Sequence, residues 1–122
     1  IRYLAKSVEA WPQKMEARAA ALRLGQVIRM QEEIGTGGGG FRFIYAAFLQ
    51  EAAGLLNDDH LQRLSDRMTE VGDLWREFAL VGSRICKQRA DATETYAALA
   101  AILRQCADKE TRLYQDLLAR MG

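Results

Sequence analysis

The sequence has few of the residue types that catalysis and metal binding most often use. Its 122 residues include one histidine, two cysteines and one proline. Alternating runs of β-branched residues are missing, so we expect no sheet, and no stretch approaches the ~18 apolar residues of a membrane span. The 17 basic and 16 acidic residues leave a net charge of +1. Without a charge excess, neither nucleic acid nor a membrane surface is expected as a partner.

The two cysteines do not form a redox or metal motif. Cys86 and Cys106 are far apart in the sequence, unlike the pair in a C-x-x-C motif. We interpret them as reduced thiols that pack as small apolar residues, because a disulfide would need an oxidising compartment. The chain begins with Ile1 and shows no secretory signal. We therefore expect a single cytoplasmic helical domain, 1–122, that is a fragment or the C-terminal part of a longer protein.

What is present is a composition rich in good helix formers, divided near its start by the single proline. An apolar spacing of three to four residues predicts a first helix over 1–10. Trp11-Pro12 should end it, since the residue before a proline is pushed out of the α region. Pro12 suits the first turn of a second helix, predicted to reach about Ile34. Gly35 is then a natural helix stop.

A third, very apolar helix is predicted from Phe41 to Leu56, and we expect it to help enclose the core. Its apolar residues repeat every three to four positions: Phe41, Ile44, Tyr45, Phe48, Ala52 and Leu55. The acidic pair after Asn57 should cap the next helix.

The last two helices carry the clearest periodicity. The fourth has a strict 3,4 spacing: Leu61, Leu64, Met68, Val71, Trp75, Phe78, Gly82 and Ile85. Gly82 in this stripe predicts the close approach of a neighbour. A fifth helix, capped by Asp91 or Thr93, carries Tyr96, Leu99, Leu103, Cys106, Glu110, Leu113 and Leu117. Its short connection predicts an antiparallel pair. The fold class is all-α: an up-and-down helical bundle of about five helices, with a glycine-rich loop between helices two and three.

That glycine-rich loop, Gly35–Gly40, is the one local feature that the composition does not predict. A G-x-G-x-x-G pattern can be read from it, but a dinucleotide site needs a preceding strand, and here a helix precedes. No cofactor is therefore expected. The loop opens into a helix N-terminus, which favours an anion, and Arg42 could grip a phosphate or carboxylate. The alternative is structural: the loop crosses tightly over the bundle, and Arg42 pairs with Glu32 or Glu33.

The candidate contact site therefore centres on this loop, with no catalytic and no metal-binding residue assigned. It comprises Thr36, Gly37, Gly38, Gly39, Gly40, Arg42 and Tyr45. His60 lies beside Asp58 and Asp59 without a nearby nucleophile, and the sequence has no Glu-x-x-His motif. We interpret His60 as an exposed or capping residue. Four aromatic residues on helical stripes are interpreted as core: Trp11, Tyr45, Trp75 and Tyr96.

Two stretches of the sequence resemble a known helical domain. Ile1-Arg2-Tyr3-Leu4-Ala5 with Trp11-Pro12 resembles the opening segment of the domain that follows the N-terminal domain in butirosin-biosynthesis-protein-H-like enzymes. Gly35-Thr36-Gly37-Gly38-Gly39-Gly40-Phe41-Arg42 resembles its most specific motif, and Trp75 fits its later tryptophan.

The resemblance implies a role in natural-product biosynthesis. Enzymes of that family resemble acyltransferases that move an acyl group from a carrier protein to an amine, with the nucleophilic cysteine and the histidine in the N-terminal domain. This chain would then be a non-catalytic companion, whose loop contacts the catalytic domain, the substrate or an acyl carrier protein. The alternative is a self-associating interaction module, a homodimer without a ligand. No constellation of residues supports an enzyme activity of the chain alone.

Overall fold

The computed structural model describes residues 1–33, 35 and 37–121, with the backbone alone for residue 121. These residues form five α-helices and no strand, which confirms the all-α bundle. The helices are α1 (Arg2–Lys14), α2 (Ala17–Glu32), α3 (Arg42–Leu56), α4 (Asp59–Cys86) and α5 (Tyr96–Met121). A single 3-10 turn, Gly39–Phe41, leads into α3.

The long helix α4 is the centre of the molecule, and α2, α3 and α5 all run antiparallel to it. The Ser65 hydroxyl donates to the carbonyl of Ala46 over 2.7 Å, which places α3 along the N-terminal half of α4. The Cys86 thiol donates to the carbonyl of Ala21, which places the start of α2 at the C-terminal end of α4. Consequently, α2 and α3 follow one another in the same direction along α4, and the glycine loop joins them.

The first helix covers only half of the bundle. Arg2 pairs with Asp108 over 2.9 Å and Glu9 with Arg104 over 2.6 Å, so α1 runs antiparallel to α5 and starts level with the middle of that helix. It also contacts α2. One half of the molecule therefore has four packed helices, whereas the other half has α3, α4 and α5 only.

The apolar stripes predicted for α4 and α5 form the core. All the α4 positions are buried except half-buried Ile85, and on α5 only Tyr96 and Leu117 are partly exposed. The predicted close approach at Gly82 is confirmed, because a Cβ atom there would lie 2.6 Å from Cδ1 of Ile28 in α2.

The predicted helix break at Pro12 is wrong. The helix α1 continues through Pro12 to Lys14, and α2 begins only at Ala17. Proline removes one hydrogen bond, and in the last turn few helical bonds remain to be lost; the N–H of Met15 still bonds to the carbonyl of Trp11. The last helical residue of α2 is Glu32; its predicted end, Ile34, lies outside the described residues.

The structure confirms the predicted cap of α4 and contradicts the predicted cap of α5. Asp58 caps α4 as predicted: its carboxylate accepts from the backbone N–H groups of His60 (3.0 Å) and Leu61 (3.4 Å), the second and third helical residues. On α5, neither Asp91 nor Thr93 is the cap: the Thr95 hydroxyl accepts from the N–H of Ala98 over 3.1 Å. Asp91 instead organises the preceding turn, where its carboxylate accepts from Thr93.

The large apolar side chains of α3 point mostly away from the core. Its buried residues are smaller ones, Ala46, Leu49 and Ala53. More than half of each of four predicted stripe residues is exposed: Phe41 58%, Ile44 53%, Phe48 59% and Leu55 82%. The helix α3 does help to enclose the core, as expected, but of its predicted stripe only Tyr45 and Ala52 pack against that core.

Candidate functional site

The glycine loop has a left-handed backbone along most of its length. Gly35 and the four residues from Gly37 to Gly40 all have positive φ angles, and Phe41 follows with φ 71°. Residues with a side chain rarely adopt this conformation, so the loop's shape itself requires glycine. Thr36, the remaining member of the predicted loop site, lies outside the described residues.

Two glycines hold the ring of Phe43 between the loop and α4. A Cβ atom on Gly39 would lie 2.9 Å from the ring, and one on Gly72 would lie 2.7 Å from it. Side chains at these positions would occupy the space that the ring fills. The same added Cβ atom on Gly39 would also lie 3.4 Å from the backbone oxygen of Gly72. The loop is therefore packed directly onto the middle of α4.

Polar contacts fix the loop to the helices on both sides. The N–H of Gly39 donates to the Glu32 carboxylate at the end of α2 over 3.2 Å. The neighbouring Gln31 is buried, and its side-chain amide donates to the backbone oxygen of Trp75 in α4. These contacts support the structural interpretation of the loop.

Arg42 is the most highly connected of the predicted site residues. Its guanidinium donates to the Glu110 carboxylate through Nε (2.9 Å) and Nη2 (2.8 Å), and through Nη1 to the carbonyl of Gly40 (2.8 Å). It also lies 4.5 Å from the centre of the Trp75 ring, whose Nε1 donates to the other oxygen of Glu110 over 3.3 Å. The pairing predicted with Glu32 or Glu33 is wrong.

The Arg42–Glu110 pair neutralises two charges inside the bundle. The side chain of Glu110 is only 7% exposed and that of Arg42 23% exposed. Such a pair needs both members, since removal of one leaves a buried charge uncompensated. Arg42 therefore has a structural role that links the loop, α3, α4 and α5. Anion binding at the start of α3 stays a prediction.

A groove of about 380 Å³ opens between α3 and α5, next to the loop. Two aromatic side chains meet at its floor: the ring centres of Tyr45 and Tyr114 are 5.9 Å apart. Burial raises the pKa of Tyr114, and Tyr45 and Glu110 raise it further. The lining is predominantly apolar and consists of Gly40, Phe41, Arg42, Ile44, Tyr45, Phe48, Met68 and Tyr114. Of the predicted site residues, Gly40, Arg42 and Tyr45 line this groove, on a surface that also includes α5.

A second groove, of about 410 Å³, lies on the other side of Tyr114, between α5 and the start of α1. Tyr3 at its edge is 84% exposed, and Ile1 is 39% exposed. The groove is lined by Ile1, Arg2, Tyr3, Ala107, Glu110, Thr111 and Tyr114. We call it the α1–α5 groove. Glu110 lines this groove, and its partner Arg42 donates a hydrogen bond to Gly40 in the loop. The Arg42–Glu110 ion pair therefore connects the α1–α5 groove with the glycine loop.

The residues with catalytic potential lie apart from this region or are buried. Both cysteines are free. Burial raises the pKa of Cys86, and burial with the nearby Glu110 carboxylate raises that of Cys106 to about 12. His60 lies in the first turn of α4, where its backbone N–H donates to the Asp58 carboxylate. Within the described part of the chain, no three His, Cys, Asp or Glu residues are grouped to hold a metal ion.

None of the described helices combines the length and the apolar character that a membrane crossing requires.

Sequence reasoning missed several residues of the site, among them Tyr114 in the wall of the groove, Glu110, Gly72 and Phe43. Glu110 was placed in the apolar stripe of α5, and a carboxylate at such a position indicates a buried partner. The sequence carries no signal for the contact between Gly72 and Phe43, because the alignment of α3 along α4 depends on how the whole chain folds.

Comparison with known proteins shows the family. The model of the domain of unknown function DUF4872 matches residues 1–117, and the chain belongs to this family. No curated protein and no solved structure shows significant similarity to the chain.

Proposed function

We propose that this DUF4872 chain is a non-catalytic helical domain that accompanies a cysteine-dependent acyltransferase-like domain of natural-product biosynthesis. The resemblance of Gly35–Arg42 to the motif of such companion domains supports the proposal. The structural observation that carries it is the α1–α5 groove, with exposed Tyr3 at its edge. On this proposal, the groove is where the catalytic domain packs.

The distribution of nucleophile and base supports a non-catalytic role. His60 and Cys86 lie near opposite ends of α4, about 39 Å apart at 1.5 Å per residue. Cys106 is fully buried, with a pKa of about 12, whereas a nucleophilic cysteine needs a lowered pKa and access to substrate. A cysteine and histidine working together would therefore have to come from another domain.

The position of the groove supports packing against a preceding domain. Ile1 lies in its wall, so a domain joined to the chain before Ile1 would be attached at the rim of this groove. Attachment at that point gives a high effective concentration, which allows a small contact surface to stay occupied. The aromatic ring of Tyr3 offers the large apolar contact that commonly anchors an interface.

The glycine loop contributes to this surface by holding it in shape. The loop orients Arg42, and Arg42 fixes Glu110 in the wall of the groove. On the same proposal, contacts to substrate or to an acyl carrier protein involve the exposed edge of the loop, next to the place where the catalytic domain packs.

Binding of the two separately expressed domains tests the proposal. Titration calorimetry of the preceding domain against this chain should give a Kd for Tyr3→Glu that is at least ten times higher than the Kd of the unchanged chain. Leu22→Glu is the matched control, because Leu22 is also exposed (64%) but lies on α2. Acyl transfer from a carrier-protein thioester to an amine should require the preceding domain. An open reading frame whose upstream segment lacks a cysteine and a histidine would overturn the proposal.

A further inference from the structure

The outer face of α3, together with its N-cap residue Phe41, forms an apolar stripe with one charged position. Phe41, Ile44, Phe48 and Leu55 are all more than half exposed, and Glu51 occupies the remaining position of their 3,4,3,4 spacing. The whole fifteen-residue helix has only one other charged residue, which is the internally paired Arg42. We call these five residues the α3 stripe. An exposed stripe of this kind marks an interaction surface.

We propose that the α3 stripe pairs with the α3 stripe of a second copy of the chain, with the two helices antiparallel and a two-fold axis at Phe48. The stripe residues lie at positions −7, −4, 0, +3 and +7 relative to Phe48. This pattern is close to symmetric, so a two-fold axis at Phe48 places Phe41 against Leu55 of the second copy. A symmetric dimer needs a surface that complements itself in this way.

The charges of the stripe fit this arrangement. The same axis places Glu51 close to Ile44 of the second copy. The two Glu51 residues are then about 9 Å apart along the helices, from six residues at 1.5 Å each, so that like charges do not meet. The exposed neighbours Ala47 and Gly54 are small, and a Cβ atom on Gly54 would have no neighbour within 4 Å. A second helix can therefore approach closely.

The available apolar area reaches that of a stable interface. On α5, Tyr114 (41% exposed) lines the groove beside α3, and Leu118 (68% exposed) follows one helical turn later. At roughly 150–200 Å² per large apolar side chain, they and the four apolar stripe residues offer about 550–700 Å² in each copy. Two copies would bury about 1,100–1,400 Å², against the ~1,200 Å² at which stable interfaces begin.

The dimer goes beyond the proposed function and is centred on a different helix, α3, although Tyr114 borders both surfaces. The catalytic domain is proposed to pack on the α1–α5 groove, whereas the two copies meet on α3. A companion domain with both surfaces would bring two catalytic domains into one assembly. The two proposals can fail separately, because one is tested at Tyr3 and the other at Phe48.

Sedimentation equilibrium of the chain between about 5 and 200 µM is the first test. We expect a monomer–dimer equilibrium that Phe48→Glu weakens at least 100-fold, because two carboxylates would meet at the axis. Leu22→Glu, a matched change on α2, should leave it unaltered. Both side chains are more than half exposed, so both variants should keep the circular dichroism spectrum of the parent. A monomeric parent at 200 µM, or equal effects of the two variants, would overturn the dimer.

A charge pair tests the antiparallel register. Ile44→Lys and Ile44→Glu each replace the same apolar contact with a charge, but only lysine would pair with Glu51 of the second copy. The lysine variant should dimerise at least ten times more tightly than the glutamate variant, and the difference should shrink in 1 M salt. Equal dissociation constants would contradict the register.

Covalent trapping tests the axis itself. In Phe48→Cys the two introduced thiols face each other, so mild oxidation should give a disulfide-linked dimer on a non-reducing gel. Leu22→Cys is the control and should stay monomeric on the gel. Cys106 is buried and Cys86 half-buried, and the unchanged chain shows how much they contribute. Equal linking of the two variants would overturn the proposed axis.

Discussion

The packing of Phe43 between two glycines predicts unequal effects for the same substitution at two helical positions. Gly72→Ala in α4 places a methyl group 2.7 Å from the Phe43 ring, whereas a Cβ atom on Gly25 in α2 would lie 4.0 Å from the Cys86 sulfur, an ordinary contact distance. In both helices alanine has the better propensity, by about 1 kcal/mol. Only Gly72→Ala adds a steric cost, which for overpacking in a core is about 1–3 kcal/mol.

The expected free energies of unfolding follow directly. Gly25→Ala should stabilise the chain by about 1 kcal/mol. For Gly72→Ala, the steric cost of about 1–3 kcal/mol offsets this gain, so the net loss of stability should be about 0–2 kcal/mol. The two variants should therefore differ by about 1–3 kcal/mol. The Phe43 ring cannot relax by moving towards the loop, because Gly39 closes that side. Urea unfolding followed by far-ultraviolet circular dichroism measures the difference.

A double-mutant cycle identifies the ring as the cause. In a Phe43→Leu background the smaller side chain leaves room for the methyl group, so Gly72→Ala should no longer destabilise. The coupling free energy between the two positions should then be at least about 1 kcal/mol, as for residues in contact. If Gly72→Ala is as stable as Gly25→Ala, or if the coupling is zero, then the packing argument is refuted.

Three further predictions concern charges and thiols. Arg42→Ala should cost about 3 kcal/mol in urea unfolding, because it leaves the Glu110 carboxylate buried and unpaired; Arg42→Met with Glu110→Met should cost less than either single change. With a pKa of about 12 and no exposure, Cys106 should react with a thiol reagent only as fast as the chain unfolds, while half-buried Cys86 reacts earlier. Burial raises the pKa of Asp58, but hydrogen bonds from Arg120 and two helix N–H groups outweigh burial and lower the pKa below 3.8. The stability that the ionised carboxylate contributes is therefore present above pH 3.8 and is lost as the pH falls below that value. Asp58→Asn should remove this loss from acid unfolding curves.

The sequence predicted the parts of the fold that depend on local pattern. The α4 stripe gave the correct core face because its polar residues leave only one apolar side, and the position of Gly82 gave the close contact with α2. Asp58 was recognised as a cap from its place before an apolar period. Such features depend on residues within one or two helical turns, which a single sequence displays.

The remaining features depend on contacts between distant parts of the chain. Arg42 and Glu110 are separated by 68 residues, and nothing near Arg42 in the sequence selects that partner over Glu32. The side chains of α3 are apolar on every face, so periodicity could not decide which stripe faces α4. The local rule for the residue before a proline predicted a break at Pro12, but it does not include the packing of α1 on α5, and the helix continues to Lys14.

The internal contacts of the glycine loop shift the search for function from the loop to the surfaces beside it. Positive φ angles and the space taken by Phe43 already require glycine at most of its positions, so a ligand is not needed to explain the loop's composition. Arg42 is likewise occupied by Glu110. In contrast, Phe48 contacts the Tyr45 ring at 5.8 Å and is still 59% exposed, and Leu55 is 82% exposed, on an almost uncharged helix. Burial of that stripe against another protein surface is therefore the stronger reason to expect a binding role.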